Sequence, residues 1–240
     1  EMVHGVEGIG ERRFRREYPL TVEDGFIVLE GCWFDVEYLN AVFNALDKEL
    51  QGDLRIYRKP ELDMDYVIGA DPSWCTGGDY AVACVMDGRQ CAVLSTNEGG
   101  ERLFAEKVAD LARHYHKARV LCEANTGGAG RVVIRQLLQN QIPIWKGPAG
   151  KDWTTNRGNK EHAYSFARQM VNGDAFELLD HSTISELMHV REDNGKIEGQ
   201  DGYHDDHADA FILACWALRT CPGFDGKAKH SRRSAMRRRH

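Results

Sequence analysis

Two hydrophobic periods alternate along this chain, one of three to four residues and one of short unbroken apolar runs. Leu39, Val42, Phe43, Leu46 and Leu50 recur at helical spacing, which predicts a helix over about residues 36–50, with Asp35 as N-cap and Gly52 closing it. Residues 26–29 upstream read as a short strand. Residues 51–65, with Pro60, Asp53, Glu61, Asp63 and Asp65, read as a connector. Three short apolar runs follow: YVIGA (66–70), AVACVM (81–86) and CAVLS (91–95). Asp87-Gly88 between the last two is a hairpin signal. Leu103, Phe104, Val108, Leu111, Ala112 and Tyr115 then share one helix face. RVLCE (119–123) predicts a buried strand, residues 131–139 a helix, and IPIW (142–145) a short strand. A Gly- and Lys-rich loop over 146–158 leads to a helix marked by Ala163, Phe166, Ala167, Met170 and Val171. AFEL (175–178) predicts a strand. LMHV (187–190) and KIEG (196–199) flank Asp193-Asn194-Gly195 and predict a second hairpin. The last helix begins after His204 and stops before Pro222 and Gly223. A meander of three strands, then alternating helices and strands, predicts an α/β fold with a mixed sheet covered by helices on both faces.

Composition narrows the class. The chain has 240 residues, 42% apolar and 28% charged, enough for a sizeable core and unlike a disordered chain. No apolar run approaches the ~20 residues of a membrane span. Residues 1–16 are charged and lack a secretory signal, and residue 1 is Glu, as expected for a piece of a longer chain. Seven scattered cysteines form no CxxC pair, which argues against a disulfide framework or zinc cluster and for reduced thiols in a cytoplasm.

The net charge of −6 is unevenly spread. Residues 227–240 carry seven Lys and Arg and no acid, leaving 24 basic against 37 acidic residues elsewhere. Arg12, Arg13, Arg15 and Arg16 form a second basic cluster. An acidic body with a basic tail suits a polyanion partner or a carboxylate-rich metal site; the plain alternative is a solubilising tail.

Acids stand where sheets gather function, at strand ends. Asp71 ends the first strand of the meander in GADPSWCTGGDY, and Glu123 ends the fourth in LCEANTGGAG. Asp205 and Asp206 open the last helix in GYHDDHADAF, with Asp209 three residues on. Asp206 and Asp209 share a helical face at i, i+3, whereas Asp205 lies off that face, placed to cap the helix or to stand behind the ligands. The CTGGDYA loop lets Asp79 return towards Asp71. Each acid alone has an ordinary structural reading, as a turn, a surface group or a helix N-terminal acid. Together, carboxylates driven into an apolar strand end need a cation or a hydrogen-bond donor to offset desolvation, and hard divalent ions supply such a cation. NTGGAGR lacks GK[ST], so no nucleotide P-loop is present. Lys146, Lys151, Arg157 and Lys160, with Trp145 and Trp153, form a stretch suited to gripping nucleic-acid phosphates, or simply a solvated loop. His204 and His207 flank the acids without a metal-binding spacing.

GADPSWCTGGDYAVACVMD, LCEANTGGAG, NKEHAYSFARQMVNGDAFEL and YHDDHADAFILACWAL resemble, in order and spacing over roughly residues 60–220, the nuclease domain of phage large terminase subunits. That resemblance implies an RNase H-like fold, with an extra β-hairpin before the last helix. It implies a metal-dependent DNA endonuclease that cuts concatemeric viral DNA during genome packaging, in the cytoplasm of an infected bacterium. Asp71, Glu123 and Asp206 would be the catalytic triad, with Asp79, Asp205 and Asp209 supporting. Asp71, Glu123, Asp206 and Asp209 would hold two Mg²⁺ or Mn²⁺ ions for phosphodiester hydrolysis. Lys146, Lys151, Arg157 and Lys160 would bind double-stranded DNA. Residues 61–222 would be the nuclease domain, 1–60 an N-terminal extension or connector, and 223–240 a basic flexible tail. A packaging ATPase region, a small terminase subunit and a portal would be the protein partners, with no membrane. Two alternatives stay open: a structure-selective resolvase of the same fold, and a non-catalytic docking domain of a packaging machine.

Overall fold

The computed structural model describes residues 31–222, apart from 48–49, 76–77, 125–127, 148 and 194. The expected strand at 26–29, the arginine cluster at 12–16 and the basic tail lie outside the described residues. Strands β1 (Leu54–Ile56), β2 (Val67–Asp71), β3 (Ala81–Met86), β4 (Gln90–Thr96) and β5 (Arg119–Cys122) form one sheet in the order β1-β4-β3-β2-β5. All pairings are antiparallel except β2 with β5. β3 and β4 are buried along their whole length, because both sheet faces are covered. Their turn forms at Asp87-Gly88, where Gly88 takes φ +100° and Asp87 Oδ1 accepts from the Arg89 N–H at 3.0 Å.

Helices α1 (Val36–Ala45), α2 (Gly100–His114), α3 (Ala129–Gln139), α4 (Arg157–Asn172), α5 (His181–His189) and α6 (Asp206–Thr220) divide between the two faces. Ile68, Ala70, Ala83, Val85, Leu94, Val120 and Cys122 pack on α2 and α3. Val67, Val82, Cys84, Met86, Val93 and Leu121 pack on α4, α5 and α6. A separate hairpin, β6 (Val190–Asp193) with β7 (Lys196–Gly199), precedes α6. This is the mixed α/β sheet with two-sided helices and an added hairpin that the sequence predicts. The cysteines are free thiols, and all but Cys32 are buried as small hydrophobes.

Several elements differ from the sequence reading. α1 has its Asp35 cap, whose carboxylate accepts from the Tyr38 N–H at 3.0 Å, but it ends at Ala45. Leu46 turns extended and Leu50 is 40% exposed, so the apolar spacing runs on past the neighbours that would bury it. β1 lies inside the stretch read as a connector. Its inward residue is Arg55, buried only because Asp180 meets it at 2.6 Å, so no apolar alternation marks the strand. β1 belongs to the sheet and α1 packs on α5, so these parts of residues 31–60 pack against the same sheet and helices. IPIW contributes a single parallel bridge, Val120 to Ile144, and AFEL only the bridge of Arg89 to Glu177. Leu187, Met188 and His189 are the last turn of α5 rather than a strand. Asp180 caps that helix by accepting from the Thr183 N–H at 2.8 Å, and Ile184 and Leu187 bury its inner face.

Candidate metal centre

Backbone geometry decides which acids can meet. β2 and β5 run parallel with Ala70 in register with Cys122, and the Glu123 N–H donates to the Ala70 carbonyl at 3.0 Å. Asp71 and Glu123 therefore leave the same sheet edge, one step beyond a register pair. By strand alternation both side chains fall on the face of Val67 and Leu121, the face that α6 covers. α6 crosses β2 at Gly69, where a Cβ would stand 2.2 Å from the Ala210 carbonyl oxygen and the Ala214 nitrogen. Only glycine lets the two backbones approach this closely. Asp209 precedes Ala210, so the contact draws it to Asp71. Behind Glu123, a Cβ at Gly130 would stand 1.9 Å from the Glu123 carbonyl oxygen, so the first turn of α3 presses directly on that strand end. Gly128, at φ +105°, makes the turn from β5 into α3.

The cluster is electrostatically strained. Burial, then the charges of Asp209, Glu123, Asp206 and Asp205, push the Asp71 carboxyl well above the usual carboxylate range. Burial likewise raises Asp209, partly offset by Lys160. Burial raises Glu123 against a hydrogen bond from Thr155. Asp206 is pushed up to about 6 by burial and then by Glu186, Asp205 and Asp79, with the Tyr80 N–H opposing. One ammonium lies among these groups. Lys160 on α4 donates to Asp209 Oδ2 at 3.3 Å and stands 3.8 Å from Asp205 Oδ2. One turn later on the same face, the Tyr164 hydroxyl donates to Asp209 Oδ1 at 2.5 Å. Burial works against Lys160 ionising, but Asp209 and Asp205 outweigh it and raise its pKa.

The three acids of α6 part ways. Asp209 has the largest charge effect on Asp71. Asp206 accepts from the Tyr80 N–H at 3.1 Å and lies 3.7 Å from His204 Nδ1. Asp205 holds the N-cap position, but its side chain makes no cap bond, contrary to the sequence expectation; it accepts from the Gly199 N–H at 3.1 Å. Its capping role falls to Glu186 of α5, which accepts from the His207 N–H at 2.7 Å and the Ala208 N–H at 3.0 Å. Asp79 is an exposed rim residue that acts weakly on Asp206.

Among the basic residues, Lys151 and Arg157 are exposed, and Lys146 lies 3.6 Å from Asp152. Lys160 instead turns inward among the carboxylates. The two tryptophans of that loop pack into the domain: Trp145 Nε1 donates to Thr220, and Trp153 lies 6.0 Å from the ring of Trp216. Tyr164, Thr155 and Glu186 escaped the sequence reading. Lys160 and Tyr164 at i, i+4 on one helix face were a readable signal for the first. Glu186 carried none, because its partners lie on another helix.

The donor set suits a hard divalent cation: clustered carboxylate oxygens balanced, among the described residues, by the Lys160 ammonium. No three of the described His, Cys, Asp and Glu side chains form a finished ion cage, and Asp209 is engaged by Lys160 and Tyr164. An incoming ion thus meets carboxylates gathered by the backbone but not yet turned to a common point.

This sheet order brings acids from two parallel strand ends and from the covering helix to one edge of a mixed α/β domain. Among solved structures, its fold is that of large terminase nuclease domains. The nuclease of the large terminase from thermophilic phage G20c with bound magnesium matches with a TM-score of 0.64 at 20% identity, over 78% of this chain and 97% of that one. The same domain with bound cobalt gives 0.63 over the same shares, also at 20% identity. The large terminase nuclease domain of Thermus phage P74-26 gives 0.58 at 19% identity, over 73% of this chain and 93% of that one. Sequence comparison finds no matching family model and no matching curated protein.

Proposed function

We propose that this chain is a divalent-metal-dependent DNA endonuclease that cuts concatemeric viral DNA during genome packaging. The observation that carries the reading is the gathering of Asp71, Glu123, Asp206 and Asp209 from three separate elements, each held above its ordinary pKa by burial and then by neighbouring carboxylates. A fold keeps such repulsion where a ligand repays it. The likeness in fold to metal-bound terminase nucleases supports the same reading.

Asp71 and Glu123 would hold the metal from the sheet edge, with Asp209 and Asp206 from α6. Bound Mg²⁺ or Mn²⁺ supplies the Lewis-acid chemistry, a more acidic attacking water and a stabilised leaving oxygen. Lys160 neutralises and orients Asp209, and the Tyr164 hydroxyl fixes its other oxygen. Thr155 orients Glu123. Lys151 and Arg157, exposed in the loop before α4 and at its first residue, would offer contacts to DNA phosphates. The remaining parts of this reading are a packaging ATPase region, a small terminase subunit and a portal as partners, in an infected bacterial cytoplasm.

The test is nicking of supercoiled plasmid with Mn²⁺ or Mg²⁺ against an EDTA control. Asp71→Asn should abolish cleavage with an unchanged circular dichroism spectrum; nicking at the wild-type rate refutes the assignment. Equal cutting of linear and branched DNA is expected, and a strong preference for branched substrates would point to a resolvase.

A further inference from the structure

We infer that Glu186 is a positioning residue for the acids of α6, a clamp supplied by one helix to set the first turn of another. This rests on the nuclease reading above. An α-helix begins with backbone N–H groups that have no partner within the helix. Here the residue placed to satisfy them, Asp205, is diverted to the Gly199 N–H and towards Lys160. Glu186 takes over with one carboxylate. Its Oε2 accepts from the His207 N–H at 2.7 Å and the Ala208 N–H at 3.0 Å, and its Oε1 lies 2.7 Å from His207 Nδ1.

This arrangement fixes more than a helix end. His207 and Ala208 are the two residues between Asp206 and Asp209, so the clamp grips the backbone that separates the two candidate ligands. The His207 ring lies 6.0 Å from the ring of Tyr80, whose backbone N–H binds Asp206. Glu186, His207, Tyr80 and Asp206 thus close a loop of contacts around the start of α6. Glu186 itself sits on α5, anchored by buried Ile184 and Leu187 on either side. Losing the carboxylate frees two N–H groups and lets the first turn fray. The buried remainder of α6, from Ala210 to Leu218, would stay docked.

The clamp works through hydrogen bonds, so an amide can replace the carboxylate. The Oε1 of Gln accepts from both N–H groups, and its NH₂ donates to Nδ1 of a neutral imidazole. The experiment compares wild type, Glu186→Ala and Glu186→Gln. It measures amide hydrogen exchange in EDTA, together with plasmid nicking across an Mn²⁺ titration. Glu186→Ala should speed exchange at His207 and Ala208 at least about tenfold, while amides in β2 and β3 keep their protection. It should also raise the Mn²⁺ concentration for half-maximal nicking, by about tenfold or more for a clamp that positions ligands. Glu186→Gln should restore both. Unchanged exchange at His207 and Ala208 in Glu186→Ala overturns the clamp. A Gln variant that restores exchange but cuts as poorly as the Ala variant also overturns it, since the charge rather than the bonding would matter. If wild type itself fails to nick DNA, the nuclease reading falls, while exchange still decides whether the clamp exists.

Discussion

Neutralising Asp206 should stabilise the metal-free protein, and only above a definite pH. Its carboxyl moves from an ordinary 3.8 to about 6 in the fold, so ionising it there costs about 3 kcal/mol more than in the unfolded chain. Below about pH 4 the group is protonated in both states and adds no penalty. Between about pH 4 and 6 the unfolded chain ionises first, so this group makes stability fall as pH rises. Above that range the whole penalty is present. Asp206→Asn removes it, and the amide oxygen can still accept from the Tyr80 N–H. The gain stays at or below about 3 kcal/mol because a buried amide also costs desolvation. Other groups run the opposite way. Asp53 is lowered by its bond from Lys107, and in Asp180 the burial is outweighed by Arg55 and Tyr57. They are common to both proteins and cancel in the difference. Urea unfolding in EDTA at pH 4, 5, 6 and 7, followed by circular dichroism, reads it directly. The variant should match wild type at pH 4 and exceed it by up to about 3 kcal/mol at pH 7, and saturating Mn²⁺ should narrow the gap. A difference that stays flat with pH, or a less stable variant at pH 7, refutes the reasoning.

Two further perturbations probe the frame around the site. Gly69→Ala places a Cβ against the α6 backbone and should cost at least about 1–3 kcal/mol in urea unfolding; it should impair Mn²⁺-dependent nicking more than Leu137→Ala, which opens a cavity on the opposite face. Arg55→Met strands the buried Asp180 carboxylate and should cost about 3–5 kcal/mol, most of it recovered by adding Asp180→Asn, which keeps the helix cap.

Four of the five strands of the sheet were legible because they are unbroken apolar runs, with a strong Asp87-Gly88 turn between two of them and helix periods separating the rest. The strand-end acids were legible for the same reason: a run such as VLC ending in Glu123 marks both the strand and its charged end. What escaped depends on pairs distant in sequence. β1 is hidden because its buried residue is an arginine whose partner, Asp180, lies 125 residues away. α5 is short, and its last turn, Leu187 to His189, runs straight into β6, so the stretch reads as one strand. The inward turn of Lys160 and the reach of Glu186 to His207 follow from how α4 and α5 pack on α6. No local pattern encodes that packing.

The contact at Gly69 also bears on how this protein could diverge. α6 buries Phe211, Leu213, Cys215 and Leu218 while presenting Asp206 and Asp209 from its first turn. The residues that fill the core and those that form the charged cluster therefore ride on one rigid rod. A substitution that slides or tilts the rod to repack the interior moves both acids with it. Variation compatible with the site is then channelled into exposed side chains that can be exchanged without moving backbone, such as Asp79, Lys151 and Arg157. A library randomised at those three positions should retain folded members far more often than one randomised at Gly69, Ala210 and Ala214.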